Sequence, residues 1–317
     1  MRATFDIVAL GEPMVEFNHA GPRDSRTYVQ GFGGDTSNAI IAAARQGARC
    51  AYLTRLGDDE FGRMCLYLLR TERVDTSAVV IDASAPTGLY FVHHGPEGHA
   101  FTYRRAGSAA SRLQPSDLPV AMIERATWFH VSGISQAISN SAARTVREAV
   151  RIARQAGTKV SYDPNLRLAL WTLERAREVI VATLPLCDLF LPSLDDVRLL
   201  AGIDDPAGIV AWCHRMGARQ VVLKLGKQGC LVSDGVQLTV VAPYRVDAVD
   251  ATGAGDCFDG TYLARLVAGD DPVSAARWAG VAAALATTGY GAVAPLPRGQ
   301  AVRRALSGQD RAASPAA

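Results

Sequence analysis

The sequence lacks the features that mark nucleic-acid-binding and membrane proteins. Its 33 basic and 31 acidic side chains leave a net charge of only +2, so no general field attracts a nucleic acid or an anionic membrane surface. No uninterrupted apolar run approaches the roughly 20 residues that span a bilayer. The N-terminus leads directly into a predicted strand at Phe5–Leu10, without the segments of a secretory signal. We therefore expect a soluble, cytoplasmic protein with no nucleic-acid partner and no membrane partner.

Metal-binding cysteine pairs and the common nucleotide motifs are also missing. The six cysteines form no C-x-x-C pair and show no metal-ligand spacing, which is typical of reduced, buried thiols. We therefore expect no metal site built from protein side chains. A helix N-terminus lowers the pKa of a thiol, but the favoured interpretation of Cys257 is a small residue packed behind a turn. There is no Walker A sequence, and Gly11-Glu12-Pro13 after the first strand lacks the dinucleotide fingerprint of a dehydrogenase.

Predicted strands and helices alternate along the chain. Its 317 residues, 49% of them apolar, can bury a substantial core. Apolar patterns and turn signals predict strands at 5–10, 50–55, 78–81, 127–131, 159–162, 186–191 and 220–225. Helical spacing predicts helices at 37–46, 60–70, 141–155, 173–184, 195–201, 206–216, 257–267 and 272–287. The alternation predicts an α/β fold, with a mostly parallel central sheet covered by helices on both faces. We expect one domain at 1–306 and a disordered tail at 307–317.

Two segments interrupt this alternation. Residues 17–34 and 87–103 are rich in Tyr, Phe, His, Thr and Gly, and the sequence GPEG at 95–98 predicts a turn between two strands. We predict that they form a small β-sheet lid, bounded at about 12–35 and 86–106. Exposed sheet edges favour pairing with another chain, so a homodimer through the lid is an expected assembly.

The stretch ATGAGDC at 251–257 joins a glycine-rich turn to a predicted helix. Gly253 and Gly255 allow the N–H groups around Ala254 to converge on one point, where the helix adds the positive end of its dipole. Such a turn suits an anion whose charge grows in a transition state, as in phosphoryl transfer. Asp256 at its edge can accept a proton from an attacking hydroxyl. The alternative is a turn that only caps and packs the helix.

Two more glycine-rich stretches precede predicted helices. In GFGGDTSN, Gly33 and Gly34 allow a ligand close to the backbone, and Asn38 can donate to and accept from hydroxyl groups. A turn with a polar helix start explains this stretch equally well. In LGDDEFG the favoured interpretation is structural, with Asp58 or Asp59 as the helix cap.

These three stretches, in their order and spacing along the chain, resemble the signature regions of the PfkB/ribokinase family of sugar kinases. The resemblance covers about residues 4–300, and DATGAGD at 250–256 is its most specific part. It implies a ribokinase-like three-layer α/β/α domain of about nine strands, a β lid over the sugar, and ATP beyond the anion hole. It also implies that Asp256 deprotonates the acceptor hydroxyl and that Gly33, Gly34 and Asn38 contact the sugar.

Other segments resemble the 2-keto-3-deoxygluconate kinases of that family: GEPMV at 11–15, TGLY at 87–90, YRRAGSA at 103–109, and DPNLR followed by LW at 163–171. The substrate contacts that this resemblance implies are Tyr90, Tyr103, Arg105 and Arg167, besides Gly33, Gly34, Asn38 and Asp256.

The charge of the expected pocket favours a sugar acid over a neutral sugar. Ribokinase-like members meet neutral sugars with an Asn and an Asp after the first strand, and Met14 and Glu16 stand there instead. Arg105 and Arg167 can each bind a carboxylate through two parallel hydrogen bonds. Alternatively, these arginines are solvated at the surface, and Tyr90 and Tyr103 merely pack the lid. Because neighbours on a strand point to opposite faces, only one of Arg104 and Arg105 can face the pocket.

For the nucleotide, KLGKQG at 224–229 resembles the strand–turn–strand segment that borders the ATP phosphates, although its glycines also suit a plain hairpin. The implied nucleotide contacts are Lys224, Gly226, Gly229, Asn165, Arg167, Ser193, Gly253 and Gly255. Mg²⁺ is expected on ATP phosphates and water, and K⁺ near Asp250 and Thr252. Two departures from the family leave roles open: Asp196 stands where Glu is usual, and Gly289-Tyr290 lacks a carboxylate of close relatives.

The expected reaction is ATP-dependent phosphorylation of 2-keto-3-deoxygluconate at its primary hydroxyl. Three alternatives remain: a family kinase for fructose, keto-deoxygalactonate or a nucleoside; a non-catalytic sensor of a sugar acid; and a nicotinamide dehydrogenase. A sensor is expected to lose Asp256 or a glycine of the anion hole, and this chain keeps them.

Overall fold

Strands of three sheets, with nine, four and two strands, make up the framework. It is seen in a computed structural model that describes residues 3–20, 25–95 and 98–313. In chain order the described strands are β1 Phe5–Leu10, β2 Met14–Ala20, β3 Thr27–Gly33, β4 Cys50–Leu53, β5 Arg55–Gly57, β6 Val74–Asp75, β7 Val80–Asp82, β8 Leu89–Gly95, β9 Gly98–Arg104, β10 Ala126–Ser132, β11 Lys159–Asp163, β12 Leu189–Phe190, β13 Val221–Lys224, β14 Cys230–Ser233 and β15 Leu238–Val241.

Helices cover the larger sheet. In chain order they are α1 Asp35–Arg45, α2 Glu60–Thr71, α3 Val120–Glu124, α4 Gly133–Ala137, α5 Asn140–Ala156, α6 Leu173–Thr183, α7 Leu194–Ala201, α8 Pro206–Arg215, α9 Ala254–Val267, α10 Pro272–Ala286 and α11 Gly299–Ala313.

The larger sheet has nine strands within the described ranges, in the order β15-β14-β13-β12-β11-β10-β1-β4-β6. Neighbours pair in parallel, except that β14 is antiparallel to β13 and β15. Its inner strands are apolar on both faces: Val8 and Phe129 belong to one core cluster, and Ile7 and Trp128 to the other. Such strands require a layer of helices on each side, so the expected three-layer α/β/α fold is confirmed.

The predicted lid is present as a four-stranded sheet in the order β3-β2-β8-β9. The parallel pair β2–β8 joins the two hairpin-like segments, with Glu16 opposite Tyr90. Gly95 and Gly98 pair at the end of β8 and β9, while positions 96 and 97 of the expected turn lie outside the described residues. Asp59 ties the lid to the main domain, since it caps α2 by accepting from the Gly62 amide and also accepts from the Thr87 amide.

Several predicted boundaries differ from the structure; the strand expected at 186–191, for example, is only Leu189–Phe190. Two of the differences have a clear physical reason. The expected strand at 50–55 divides at Thr54, because β5 turns away to pair with β7. The tail expected from 307 is instead helical as far as Ala313, since Val302 is buried and Leu306 packs on the second core cluster, holding α11 against the domain. Residues 314–317 of that tail lie outside the described part.

Close packing of α1 on α9 positions the site. A Cβ on Gly260 of α9 would lie 1.8 Å from the Ala39 carbonyl of α1, so only glycine permits this approach. Both helices consequently begin at the same place, beside the carboxyl ends of the parallel strands, where ligands bind in open α/β sheets. No helix in the described residues is both long and apolar enough to cross a membrane.

Candidate active site

The N-terminus of α9 forms the predicted anion hole. Gly253 precedes the helix with φ 74°, a left-handed conformation that favours glycine. A Cβ there would also lie 3.0 Å from Ala292, so the turn is backed by the segment that follows α10. Ala254, Gly255 and Asp256 occupy the first turn, where backbone N–H groups lack intrahelical acceptors. The Ala254 amide donates to the Ala251 carbonyl at 3.2 Å, which leaves the Gly255 and Asp256 amides for a ligand. The turn can therefore bind an anion.

Asp256 lies at this anion hole with both carboxylate oxygens contacted. Oδ2 accepts from Asn38 Nδ2 at 2.8 Å, and Oδ1 lies 3.4 Å from Asn165 Nδ2. Burial, with the neighbouring carboxylates Asp35 and Asp163, raises the pKa of Asp256 to about 8. The ionised form of a carboxyl group with this pKa is a stronger base than an ordinary aspartate, and it predominates only above about pH 8.

Asn38 presents an unsatisfied acceptor beside this base. Its amide nitrogen is used by Asp256, but its buried Oδ1 has no hydrogen-bond partner in the described part of the chain. A buried polar atom without a partner is costly, and a hydroxyl that bridges Asn38 and Asp256 would satisfy it. The pair therefore marks where an alcohol can bind.

Gly33 and Gly34 lie just before α1, and both are packed closely against other residues. A Cβ on Gly33 would lie 2.1 Å from the Tyr90 hydroxyl, and one on Gly34 would lie 2.2 Å from the Glu12 carbonyl. The Tyr90 hydroxyl itself donates to Glu16 Oε2 at 2.5 Å. These glycines are thus required by packing as well, and the Tyr90 proton is engaged by Glu16 rather than free for a substrate.

Arg105 is paired with a carboxylate that the sequence argument overlooked. Its Nε and Nη2 donate to Glu12 Oε2 at 2.8 and 2.5 Å, and Ser108 donates to the other oxygen. The Glu12 side chain is only 1% exposed and that of Arg105 10%. Only Nη1 of the guanidinium donates to no described residue, so Arg105 offers one edge and little net charge to a ligand.

Arg167 is exposed and forms no ion pair with any described residue. Its one hydrogen bond is from Nη1 to the Leu166 carbonyl at 2.9 Å. Its positive charge acts on both Tyr103 and Asp196, lowering the pKa of each against the stronger effect of burial. Arg167 therefore stands between the lid tyrosine and the start of α7, with its charge available to an anion.

Tyr103 projects from the lid toward the same space. It is 40% exposed, its ring centroid lies 5.8 Å from that of Tyr90, and the Arg105 guanidinium lies 5.7 Å from its ring. Two predicted substrate contacts, Tyr103 and Arg167, are thus exposed at the pocket, whereas Tyr90 and Arg105 are buried in hydrogen-bonded pairs.

Lys224 reaches the anion hole as part of a buried cluster with Asp163 and Asp259. Its Nζ lies 2.9 Å from both oxygens of Asp259 and 3.2 Å from Asp163, and 3.6 Å from the position of a Cβ on Gly255. Burial alone would lower the pKa of Lys224, but the two aspartates raise it. The ammonium is therefore fixed and charged beside the place where a phosphoryl group would lie.

Asn165 and Ser193 lie near the same cluster, and each also has a structural role. Asn165 has φ 33° and its amide donates to Asp163 Oδ1. Ser193 caps α7 by accepting from the Asp196 amide at 3.2 Å. Burial and the charge of Asp163 raise the pKa of Asp196 to about 6, so this shorter replacement for the family glutamate titrates close to neutral pH.

A cleft of about 870 Å³ adjoins the anion hole on the side away from the lid. Lys224 and Gly255 stand at its inner end, and Tyr244 and Phe258 provide apolar surface. Gly226, with φ 56°, has open space where a Cβ would point, whereas a Cβ on Gly229 would collide with the Val241 carbonyl. Of these two predicted nucleotide contacts, Gly226 faces the cleft freely and Gly229 is required by the β13–β14 turn.

The loop before the anion hole is ordered by Asp250. Its Oδ1 accepts from the amide and hydroxyl of Thr252, and its Oδ2 accepts from the Gly291 amide at 2.9 Å. Cys257 is fully buried in the second core cluster, as the packing interpretation expects, and burial raises the pKa of its thiol to about 12. In the described ranges, no group of three or more His, Cys, Asp or Glu side chains is arranged to hold a metal ion.

Four acidic residues at the site were not singled out from the sequence, namely Glu12, Asp35, Asp163 and Asp259, and Glu16 was noted only as a departure from the neutral-sugar kinases. Two signals in the sequence point to Asp163 and Asp259. Asp163 ends β11, beside the other strand ends, and Asp259 follows Asp256 by three residues, which places both on one helical face. Nothing local marks Glu12 as the partner of Arg105, 93 residues away.

Comparison with known proteins places these features in a family. The model of the "pfkB family carbohydrate kinase" matches residues 4–298. A 2-dehydro-3-deoxygluconokinase of Thermoproteus tenax is 37% identical, with 89% of this chain and 88% of that protein covered. Fructokinase-1 of Oryza sativa is also 37% identical (92% and 94% covered), and a 2-dehydro-3-deoxygalactonokinase of Haloferax volcanii is 32% identical (97% and 98%).

Solved structures show the same architecture. A putative ribokinase II from E. coli in complex with ATP and Mg²⁺ superimposes with a TM-score of 0.88 at 26% identity, covering 96% of this chain and 99% of that one. A fructokinase from Vibrio cholerae with fructose, ADP and a potassium ion bound gives 0.87 at 28% identity, covering 96% and 100%. The ribokinase-like fold expected from the sequence is therefore confirmed.

Proposed function

The chain belongs to the pfkB family of carbohydrate kinases, and from this premise we propose that it phosphorylates the primary hydroxyl of 2-keto-3-deoxygluconate. ATP is the donor, and the products are 2-keto-3-deoxy-6-phosphogluconate and ADP. The observation that carries the proposal is the Asn38–Asp256 hydrogen bond at the start of α9, which holds the base beside an anion hole, while the other amide atom of Asn38 has no partner among the described residues.

In this proposal Asp256 takes the hydroxyl proton as the oxygen attacks the γ-phosphorus. Positioned bases contribute roughly 10²–10⁴-fold to rates in general. The first-turn amides of α9 that are left for a ligand, those of Gly255 and Asp256, receive the charge on the phosphoryl oxygens. Lys224, which Asp163 and Asp259 hold in place, brings its ammonium close to Gly255. Closure of the lid would exclude water from the transfer.

The cleft beside β13 and β14 fits ATP. Its volume is adequate for a nucleotide, Gly226 leaves room for close approach to the backbone, and Tyr244 and Phe258 offer surface to a base. Mg²⁺ would be held mainly by ATP phosphates and water, with Asp196 as a carboxylate near them. Mg²⁺ would neutralise phosphate charge as the bond to the leaving group breaks.

A sugar acid is favoured by the charge available in the pocket. Arg167 has no carboxylate partner among the described residues and stands opposite Tyr103. Its guanidinium can take the substrate carboxylate through two hydrogen bonds, while Nη1 of Arg105 supplies a third donor. The reacting end of the same molecule would then lie at Asp256.

Fructose is the second candidate, and one observation favours it. The Glu12–Arg105 pair removes most of the charge that Arg105 was expected to offer an acid. A fructokinase relative is also as similar, at 37% identity, as the keto-deoxygluconate kinase. Keto-deoxygalactonate differs from the favoured substrate in one hydroxyl and shares its carboxylate.

Two further features are proposed on the same basis. A monovalent cation such as K⁺ would bind close to Asp250 and Thr252, where the loop meets Gly291. A homodimer would form through the lid, whose edge strands β3 and β9 expose Val29 and Phe101.

The test is ADP release with ATP and Mg²⁺ across 2-keto-3-deoxygluconate, its galactonate epimer, gluconate, fructose, ribose and adenosine. Turnover confined to the keto-deoxy acids supports the proposal. Turnover on fructose alone would keep the family chemistry and overturn the role given to Arg167. Binding of a keto-deoxy acid without ADP release would favour a non-catalytic sensor.

A further inference from the structure

A buried arginine far from any substrate contact holds the segment behind the anion hole. Arg45, the last residue of α1, donates through Nη1 to the carbonyls of Val293 at 3.0 Å, Ala294 at 3.5 Å and Leu296 at 2.5 Å. Its Nε and Nη2 donate to the two oxygens of Glu72 at 3.1 and 2.7 Å. The side chain is only 10% exposed. One guanidinium thus joins the ends of α1 and α2 to an irregular stretch of chain.

That stretch has few other ways to satisfy its carbonyls. Residues 289–298 contain no regular helix or strand, and buried carbonyl groups need donors. Gln46, beside Arg45, donates to the Pro297 carbonyl at 2.9 Å and accepts from Trp278. Two neighbouring side chains at the end of α1 therefore fix the segment that runs from the anion hole to α11.

The same stretch supports the anion hole directly. Ala292 lies against Gly253, where an added Cβ would have only 3.0 Å, and the Gly291 amide donates to Asp250, which in turn holds Thr252. A displacement of 291–294 would therefore move the turn that presents the first amides of α9. The opposite end of α1 carries Asn38, which holds Asp256. One helix consequently fixes the base at its start and the backing of the anion hole at its end.

We propose that Arg45 is a positioning residue for phosphoryl transfer, acting through the 291–296 segment on the Gly253 turn, with Glu72 as its anchor. The proposal rests on the proposed kinase function only for its kinetic test. Because Arg45 touches neither the sugar pocket nor the nucleotide cleft, its loss should lower kcat and leave both KM values nearly unchanged. A misplacement of about 1 Å at a reacting centre costs on the order of 10²-fold in rate.

The experiment compares Arg45→Ala, Arg45→Lys and Arg298→Ala by kcat, KM for ATP and KM for the sugar. Arg298 is the matched control, because it also contacts Glu72, at 3.3 Å, but its side chain is 67% exposed and donates to no carbonyl of the segment. We expect a loss of about 10²-fold in kcat for Arg45→Ala, a smaller loss for Arg45→Lys, and near wild-type kinetics for Arg298→Ala. Added ethylguanidinium should restore part of the kcat of Arg45→Ala by refilling the gap.

Hydrogen exchange separates this proposal from the kinase proposal. Arg45→Ala, or Arg45→Lys if the alanine variant does not fold, should lose protection at the hydrogen-bonded amides of Gly291, Leu296, Thr252 and Ala254 and keep it in β10 and β11. Unchanged protection there, or a normal kcat in a folded variant, overturns the role of Arg45. A wild-type protein that releases no ADP on any sugar overturns the kinase proposal alone, since the exchange result still decides whether Arg45 holds the segment.

Discussion

Asp256 is a residue whose ionisation should control the rate. Asp256→Asn keeps the size of the side chain and both asparagine neighbours but cannot accept the proton, so we expect kcat to fall by roughly 10²–10⁴-fold while ATP and sugar still bind. Steady-state kinetics with calorimetric binding would measure both quantities. Asp58→Asn, at an exposed acidic position just before α2, is the control. Near-normal turnover of Asp256→Asn would remove Asp256 as the base.

The pH profile follows from the same residue. A base must be ionised to act, and burial with Asp35 raises the pKa of Asp256 to about 8, so kcat/KM should rise with pH through about 8 and then level off. Asp35→Asn removes the neighbouring carboxylate and should move that rise to lower pH. Rates between about pH 5.5 and 9.5 for both proteins would check this. An unmoved profile would show that Asp35 does not tune the base.

Arg167 should determine how well a substrate carboxylate binds. Arg167→Ala removes a charge-assisted pair worth about 1.5–3 kcal/mol, so KM for the keto-deoxy acid should rise roughly 10–100-fold, with a much smaller change for a neutral sugar. Arg104→Ala, at an exposed neighbouring position of the lid, is the control and should be silent. Equal losses on every substrate would indicate that Arg167 holds the pocket or the nucleotide instead.

At the scale of whole elements, the contact between α1 and α9 fixes the distance between Asn38 and Asp256. Gly260→Ala would place a Cβ 1.8 Å from the Ala39 carbonyl, which only separation of the helices can relieve. Overpacking of this kind costs about 1–3 kcal/mol, and kcat should fall because the base moves. Thermal unfolding and kinetics of the variant would measure both effects.

The control for that contact is a helical glycine in open space. Gly308 of α11 has nothing within 4 Å of an added Cβ, so Gly308→Ala should be neutral or stabilise the protein by up to about 1 kcal/mol. If Gly260→Ala were as stable and active as Gly308→Ala, the close approach of α1 and α9 would not matter for the site.

At the scale of the molecule, the lid presents two unprotected sheet edges. Val29 on β3 is 59% exposed, and a lysine at an edge opposes strand pairing. Light scattering should give twice the 33.7 kDa mass of one chain for the wild type and a single mass for Val29→Lys. Val236→Lys, at a 91% exposed position in the β14–β15 turn, should remain a dimer. A monomeric wild type would contradict assembly through the lid.

The sequence by itself determined the local chemistry. The alternation of apolar strands and helices predicted the three-layer fold, because strands buried on both faces must be apolar throughout. The turn at 251–257 predicted an anion hole and its base, because glycine conformation and a helix N-terminus act over a few neighbouring residues. A helix cap at Asp58 or Asp59 was predicted from a similarly short-range rule, and Asp59 forms it, whereas burial, a tertiary effect, raises the pKa of Cys257.

Only the tertiary structure decided which charges remain available. Arg105 and Lys224 look alike in the sequence as cations of the pocket, yet Glu12 binds the first and Asp163 with Asp259 bind the second, while Arg167 keeps no such partner among the described residues. Buried charges must be paired, but a partner can come from any part of the chain, so local sequence cannot name it. The packing of distant segments therefore sets both the pKa of the base and the charge offered to the substrate.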